Sequence, residues 1–276
     1  MMHRLGLHGR SFIPMLMGFD CNVPAIMAAK DIQNPKDRAL TMLMVPFMSC
    51  SARLPVYILF IDAFFENHKA VVLLSLYLLG ILMSFLFAFI MKKTKWFRKP
   101  ADDMVNELPA FRMPRWRSIG RHIWYRVSDF LKKISTVVLC ASVIIWALEY
   151  FPAGDLDHIE TSWLAAIGQF IEPVMRPLGF DWKMSVCLLT GLPAKEAIAA
   201  TFAILFGGDM SATALTPVGA YAFLVFTLLY FPCVATIATI RREINWKWAA
   251  FTVVNSIAVA WLAAFVVYQV GSLLCA

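Results

Sequence analysis

Long apolar runs separated by short charged clusters dominate this sequence. Three of these runs contain no charged residue, and each exceeds the roughly 20 residues that a helix needs to cross the hydrocarbon of a bilayer. They cover residues 70–91, 210–240 and 248–276. The runs contain proline, glycine and aromatic residues and lack the two-residue alternation of a barrel strand. We therefore predict an all-α protein, a polytopic membrane helical bundle.

Three further apolar runs carry charged residues. The run 134–151 contains Glu149, the run 39–61 contains Arg53, and the run 184–208 contains Lys195 and Glu196. A shorter run at 11–29 contains one acid, Asp20. The pattern predicts about six spans together with broken or re-entrant helices.

Composition narrows the class of protein further. Of the 276 residues, 60% are hydrophobic and 16% are charged, whereas soluble domains carry about a quarter charged residues. One water-soluble core of this length cannot bury so much apolar surface. A soluble enzyme, a disordered tail and a disulfide-stapled secreted module are therefore excluded.

The net charge of +7 comes largely from one stretch. Residues 92–133 hold 12 of the 25 Lys and Arg residues and only four acids. By the positive-inside rule, this stretch is predicted to be cytoplasmic. From Trp116 to Phe130, apolar residues recur at helical spacing beside arginines, which indicates a basic amphipathic helix lying on anionic lipid. A solvated loop helix is the alternative, and nucleic acid is not needed to explain the charge.

The same rule constrains the segment 184–208. If 134–151 and 184–208 both cross the membrane fully, Arg241 and Arg242 end up outside. The conflict disappears if 184–208 is a broken helix that returns to the side from which it came. A second solution lets 161–180 cross as well. We prefer the broken helix.

The predicted organisation has two regions around the basic loop. The first region, 1–91, contains a re-entrant segment at 11–29 and spans at 39–61 and 70–91. The loop with the amphipathic helix occupies 92–133. The second region, 134–276, contains apolar segments at 134–151, 184–208, 213–240 and 248–272.

Two places combine helix breakers with polar side chains inside apolar sequence. The chain reads MGFDCNVPAIMAA around Gly18 and TGLPAKEAIAA around Gly191. Each break is followed by a span with a proline close to a cysteine, PFMSCSARLP at 46–55 and YFPCVAT at 230–236. Such paired breaks in two loosely repeated halves indicate a transporter site, because broken helices free backbone groups near the midplane. Kinked helices without a ligand are the alternative.

Thiol, thioether and acidic side chains collect at these breaks. The thiolate and thioether groups favour a transition metal over Mg²⁺ or Ca²⁺, and a transport route needs weak, exchangeable sites. Metal contact is predicted for Cys21, Cys50, Cys233, Asp20 and Glu196. The residues predicted to line or support the path are Met17, Asn22, Met48, Ser49, Ser51, Arg53 and Lys195.

The buried charges have structural explanations as well. For Arg53, hydrogen bonding to carbonyls freed by Pro46 or Pro55 is at least as good an explanation as contact with cargo. Lys195 and Glu196 could mark the edge of a re-entrant segment and pair with each other.

Four motifs, in this order, resemble the membrane domain of the ferrous iron transport protein B family: GFDCNVPAIMA, PFMSCSARLPVY, LLTGLPAKEAI and YFPCVATIATIRRE. The resemblance covers practically the whole chain. It implies a bacterial inner-membrane protein for uptake of Fe²⁺, the transported cargo, with two gate regions that contain the broken segments. It also implies that the thiols of Cys21, Cys50 and Cys233 line the iron path, and Glu196 is our addition for the second gate.

The sequence departs from that family in one large respect. Full-length members begin with a cytosolic G-protein domain, but here no GxxxxGK[ST] motif is present to cradle nucleotide phosphates. We therefore expect no nucleotide site and no enzymatic activity in this chain. We expect this chain to be a C-terminal portion of a longer protein. Its expected partners are the lipid bilayer and the missing G-domain portion, and a small cytosolic accessory protein and a homo-oligomer are further possible partners.

Three other functions stay open at this point. A nucleoside or other organic-solute carrier would hydrogen-bond its cargo through Asn22, Asp20 and Glu196, and its cysteines would be incidental. A membrane-embedded enzyme has little support, because no nucleophile–base grouping lies at membrane depth. A regulatory or assembly subunit that does not transport is the third.

Overall fold

The structure is a computed structural model that describes residues 9–65, 67–94, 97, 115–151, 162–206 and 215–275. These residues form α-helices, short 3₁₀ turns and connections, and no strand occurs among them. The predicted all-α fold is confirmed.

Five helices precede the basic stretch. Their bounds are α1 Phe12–Met17, α2 Asn22–Ala29, α3 Pro35–Met44, α4 Leu54–Phe64 and α5 Lys69–Lys93. A turn at 18–21 separates α1 from α2, and irregular backbone with two 3₁₀ turns at 45–53 separates α3 from α4. Asn34 begins α3, because its Oδ1 accepts a hydrogen bond from the backbone N–H of Lys36 at 3.0 Å.

Seven helices follow. Their bounds are α6 Trp116–Tyr150, α7 Trp163–Met175, α8 Trp182–Thr190, α9 Ala197–Leu205, α10 Pro217–Leu229, α11 Val234–Glu243 and α12 Trp246–Cys275. A turn at 191–196 separates α8 from α9, and residues 230–233 interrupt the helical segment formed by α10 and α11. Thr216 begins α10 by accepting a hydrogen bond from the Gly219 N–H at 3.2 Å.

The two ends of the bundle differ in charge. At one end, called the basic side, α5 stops at Lys93 and α11 ends with Arg241 and Arg242 in its last turn. At the opposite side, α5 begins beside α10, where the hydroxyls of Ser75 and Tyr221 are 2.9 Å apart.

Five segments among the described residues are long and apolar enough to cross a membrane: Pro35–Phe64, Lys69–Lys93, Trp116–Tyr150, Pro217–Glu243 and Trp246–Leu273. In the most apolar stretch of each segment, the share of buried residues is 67% for the two interrupted segments, 22% for α5 and α12, and 0% for α6. Backbone that leaves the helix within a bilayer must be covered by protein or line water. The broken spans accordingly occupy the centre, and continuous helices surround them.

Helices α1 and α2 form a hairpin whose ends face the basic side. The Ser11 hydroxyl, just before α1, accepts a hydrogen bond at 2.9 Å from the hydroxyl of Thr41 in α3. Just after α2, Lys30 Nζ lies 3.2 Å from Glu243 Oε2 at the end of α11. The turn between the helices reaches the break in the α3–α4 segment.

Helices α8 and α9 form a second hairpin, which enters from the opposite side. Lys183 at its start lies over the ring of Phe206 just past its end, 5.9 Å from the ring centroid. Phe202 of α9 packs on Phe60 of α4, above the α3–α4 break, with ring centroids 4.7 Å apart. The two hairpins therefore enter from opposite sides, and each lies beside one broken span, an arrangement that inverted-repeat transporters also show.

The structure refines the prediction at three places. At 184–208, for which we preferred a broken helix, lie the two nine-residue helices α8 and α9, each only about 14 Å long. The predicted boundary at 133/134 falls inside the continuous helix α6, because no proline or glycine interrupts 126–136. Between the apolar segments 134–151 and 184–208 lies the helix α7, whose Gly168 permits close packing on Val186. Residues 98–114 of the predicted loop lie outside the described residues.

Candidate functional site

The first hairpin turn is hydrogen-bonded to the first broken span. The backbone N–H of Ser51 donates to the carbonyl oxygen of Asp20 at 3.1 Å, and the Ser51 hydroxyl donates to the same oxygen at 2.9 Å. Cys21 follows Asp20 and Cys50 precedes Ser51, so one cysteine from each element flanks this junction. Asn22 stabilises the turn when its amide nitrogen is oriented to donate to Gly18 O at 3.2 Å and Val45 O at 3.3 Å.

The second hairpin turn is joined to the second broken span in the same way. The N–H of Val234 donates to the carbonyl of Leu192 at 3.2 Å, and Lys195 Nζ donates to the carbonyl of Phe231 at 2.7 Å. Cys233 directly precedes Val234, as Cys50 precedes Ser51. In both halves, the residue after a cysteine therefore donates its backbone N–H to the turn of the adjacent hairpin.

The turn glycines repeat this correspondence. A Cβ on Gly18 would lie 3.3 Å from Cβ of Met48, in the first broken span. A Cβ on Gly191 would lie 2.7 Å from the hydroxyl of Tyr230, in the second. Each glycine thus lets its hairpin turn approach a broken span closely.

Two cations are buried at the junctions and satisfy freed carbonyl groups. Arg53 is fully buried and donates from Nη1 to Met48 O at 2.8 Å and from Nη2 to Pro46 O at 3.4 Å. Lys195 is 3% exposed, and its Nζ lies 3.4 Å from the centroid of the Tyr230 ring. Among the described residues, Lys195 makes no ion pair with Glu196. The explanation that Arg53 is buried because it hydrogen-bonds to free carbonyls is therefore supported. The predicted pairing of Lys195 with Glu196 is wrong.

The three predicted thiols lie at three separate breaks in the helices. Cys50 is buried, and Cys21 and Cys233 are half-buried. Cys50, Cys233 and Asp20 all lie within electrostatic range of Cys21. Cys233 also contacts Thr236, one helical turn onward, with Sγ 3.0 Å from Oγ1. Thiols at these breaks can offer soft, exchangeable ligands to a passing cation.

The other predicted residues lie around this cluster. Met48 is buried in the break, and Ser49 donates its hydroxyl to Tyr57 Oη at 3.2 Å. Met17 is half-buried before the first turn, and Glu196 is exposed in the second. Within the described part of the chain, no three His, Cys, Asp or Glu residues are close enough to hold a metal ion together. The geometry therefore differs from that of a preformed, tight metal centre.

Sequence reasoning missed three contributors. Tyr230 supports Lys195 through its ring and donates its hydroxyl to Leu188 O at 3.2 Å. Thr236 follows Cys233 by three residues, a helical spacing that could have indicated the contact. His122 of α6 lines the same groove as Asp20 and Cys21, about 100 positions away in sequence, and no local pattern indicates this.

Comparison with known proteins places this architecture in a class. The profile of the Gate family, described as nucleoside recognition, matches residues 1–64 and 131–247. These matches contain both hairpins and both broken spans. Fold and site thus define a helical membrane protein with Gate-type halves.

The remaining matches identify the family. The profile described as the C terminus of ferrous iron transport protein B matches residues 73–126. The chain is 44% identical to Fe(2+) transporter FeoB of Staphylococcus aureus and 40% identical to that of Methanocaldococcus jannaschii, covering 99% of this chain in both cases. The chain belongs to the ferrous iron transport protein B family and corresponds to its C-terminal membrane portion.

A third relative adds a fused domain. It is the Fe(2+) transport protein A/Fe(2+) transporter FeoB fusion protein of Porphyromonas gingivalis, 39% identical over 99% of this chain. The chain spans 39% of that relative, 43% of the archaeal one and 42% of the staphylococcal one. No solved structure matches.

Proposed function

We propose that this chain is the permease portion of a ferrous iron transporter and moves Fe²⁺ between the two hairpin turns. The proposal is carried by the positions of three cysteines at three separate breaks: Cys21 and Cys50 flank the Asp20–Ser51 junction, and Cys233 is within electrostatic range of Cys21. Relatives named Fe(2+) transporters support the identity of the cargo. A thiol-lined route suits Fe²⁺ better than Mg²⁺ or Ca²⁺, which prefer oxygen ligands.

The acidic residues define the two ends of the proposed path. Asp20 lies in the turn of the hairpin that enters from the basic side, and Glu196 lies in the turn of the other hairpin. Both are exposed, so each can attract a hydrated cation before it reaches the thiols. Because the thiols form no tight three-ligand cluster, the ion can leave as readily as it enters.

The setting of the protein belongs to the same proposal. The chain works as a transporter without enzymatic activity or a nucleotide site of its own, in a bacterial inner membrane with residues 92–133 in the cytoplasm. It is joined there by a G-domain portion, in the same or a separate chain, and it can form homo-oligomers. The relative fused to transport protein A supports a small accessory partner.

The test is anaerobic uptake of radiolabelled Fe²⁺ into proteoliposomes that contain this chain, alone and with a G-domain portion supplied by a relative. Cys21→Ser, Cys50→Ser and Cys233→Ser are each expected to lower uptake at equal protein abundance. Cys140→Ser is the matched control, because Cys140 is exposed on α6. Equal uptake by all four variants and the unmodified chain would eliminate the thiol path.

The Gate profile's description, nucleoside recognition, favours an organic-solute carrier as the second candidate. In this structure, however, most buried polar groups at the breaks already have partners: Asn22 bonds to the turn, and Arg53 and Lys195 bond to carbonyls. Arg53 Nε has no partner among the described residues. Few remain to bind an organic cargo. Nucleoside uptake that is unaffected by the three cysteine substitutions would favour this candidate over iron transport.

A further inference from the structure

A cavity of about 260 Å³ lies at the basic side, between the ends of four segments. The start of α3 contributes Lys36 and Arg38, and the end of α11 contributes Glu243. Phe97, which follows α5, and Trp248, in the first turn of α12, complete the other two walls. Because α5 and α12 surround the broken spans, the cavity lies at the rim of the bundle, where protein meets lipid.

The charge of this cavity favours an anion. Lys36 and Arg38 line it, and neither makes an ion pair among the described residues. Among the described lining residues, only Glu243 carries a carboxylate, and Lys30 Nζ lies 3.2 Å from that group and offsets its charge. Asp37, between the two cations in sequence, is not part of the lining. Lys36 and Arg38 therefore present two positive charges to a molecule inside the cavity.

Aromatic and apolar surface continues from the cavity toward the membrane. The rings of Phe97 and Trp248 meet edge to face, with centroids 5.6 Å apart, and Phe251, one turn further along α12, contacts Trp248 at 5.7 Å. Val254 on α12 and Ile90 near the end of α5 are exposed. Cations, then aromatic rings, then exposed apolar side chains follow the order of chemistry in a phospholipid, from the phosphate to the acyl chains.

We propose that this cavity binds the phosphate-bearing headgroup of an anionic phospholipid in the leaflet at the basic side. Basic pockets between membrane helices on the cytoplasmic side suit such headgroups. The phosphate lies between Lys36 and Arg38, the rest of the headgroup lies against Trp248, and the acyl chains follow the outer faces of α5 and α12.

The volume of the cavity agrees with a headgroup as the occupant. It is smaller than the roughly 300–1,000 Å³ of pockets that enclose drug-sized molecules, so it admits a headgroup and leaves the acyl chains outside. A lipid bound in this way joins the outer helices α5 and α12 to the broken spans that contain α3 and α11. This role goes beyond the proposed transport and does not depend on the identity of the cargo.

Native mass spectrometry of the full chain in detergent micelles measures this binding. Phosphatidylglycerol is titrated, and the concentration at which half of the chains carry one lipid is read. Arg38→Gln and Lys36→Gln are each expected to raise this concentration about fivefold, because each removes one positive charge beside the phosphate. Glu243→Gln is expected to lower it about threefold, because it removes a negative charge. Arg117→Gln is the matched control and is expected to change nothing, because Arg117 is exposed on α6 and does not line the cavity.

Two other ligands distinguish the source of the phosphate. Phosphatidylcholine has a headgroup without net charge, and free glycerol 3-phosphate lacks acyl chains, so each is expected to bind at least about tenfold more weakly than phosphatidylglycerol. Equal binding of phosphatidylcholine would overturn the role of charge. Equal binding of glycerol 3-phosphate would assign the cavity to a soluble phosphate compound and overturn the lipid as its occupant.

The variants separate a defined site from general attraction to the basic side. If phosphatidylglycerol does not bind, or if Arg117→Gln weakens its binding as much as Arg38→Gln does, the site is overturned. Opposite shifts from Arg38→Gln and Glu243→Gln support it, because general damage to the fold cannot tighten binding.

Discussion

Replacing Gly191 with alanine tests how closely the second hairpin turn approaches its broken span. The added Cβ would lie 2.7 Å from the hydroxyl of Tyr230 and would overlap the side chain of Ile198. The Tyr230 ring cannot swing away freely, because it stacks on Phe226 with centroids 5.6 Å apart and lies under Lys195. The turn and the broken span must therefore separate.

The size of the effect follows from this steric overlap and from one broken hydrogen bond. Overpacking of a dense interior costs about 1–3 kcal/mol. Displacing Tyr230 also removes its 3.2 Å hydrogen bond to Leu188 O, which contributes about 1 kcal/mol. We expect Gly191→Ala to lower the free energy of unfolding by roughly 2–4 kcal/mol. Gly18→Ala should cost less, since the nearest atoms would be 3.1 and 3.3 Å from its Cβ.

Equilibrium unfolding in mixed micelles, followed by tryptophan fluorescence, measures this quantity. Gly120→Ala is the matched control, because Gly120 lies on α6 and a Cβ added there would have nothing within 4 Å. There, alanine should stabilise the helix by about 0.5–1 kcal/mol. The two substitutions therefore have opposite expected signs. A neutral or stabilising Gly191→Ala would refute the close approach of turn and span.

Two further predictions use the same unfolding measurement. Lys195→Met removes the 2.7 Å hydrogen bond to Phe231 O and leaves that carbonyl unpaired, so we expect the free energy of unfolding to fall by about 2–3 kcal/mol. The control is Lys69→Met, which removes an exposed pair with Asp62 and should lower the free energy of unfolding by under about 1 kcal/mol. Equal losses in the two variants would contradict the role of Lys195. Thr227→Val should raise the free energy of unfolding by about 1 kcal/mol, because Thr227 Oγ1 is buried and has no hydrogen-bond partner among the described residues. A decrease would show that the hydroxyl has a partner.

The sequence was informative wherever the signal was local. Charge-free runs located the continuous helices α5 and α12, since the bilayer excludes charge along a whole span. Glycine and proline marked the breaks near Gly18 and Gly191, because each disfavours regular helix. The contact of Arg53 with freed carbonyls could also be anticipated, since the donor and its acceptors lie within seven residues.

Tertiary pairings could not be predicted in this way. The contact of Ser51 with Asp20 joins residues 31 positions apart, and that of Lys195 with Phe231 joins residues 36 apart. Local pattern favoured the adjacent Glu196 as the partner of Lys195. In the folded chain a neighbouring broken span presents an unpaired carbonyl, whereas exposed Glu196 can be hydrated. The buried ammonium therefore bonds to the carbonyl.

The buried cations link the stability of the breaks to the proposed transport. Irregular backbone at membrane depth needs donors for its free carbonyls, and here Arg53 and Lys195 supply them within electrostatic range of each other. Arg53, whose guanidinium stays protonated, lies three residues after Cys50. Its positive charge beside this thiol opposes the charge of Fe²⁺ and lowers the affinity that a soft ligand alone would give. Arg53 thus both holds the first break together and favours release of the ion along the proposed path, as conduction through a thiol-lined path requires.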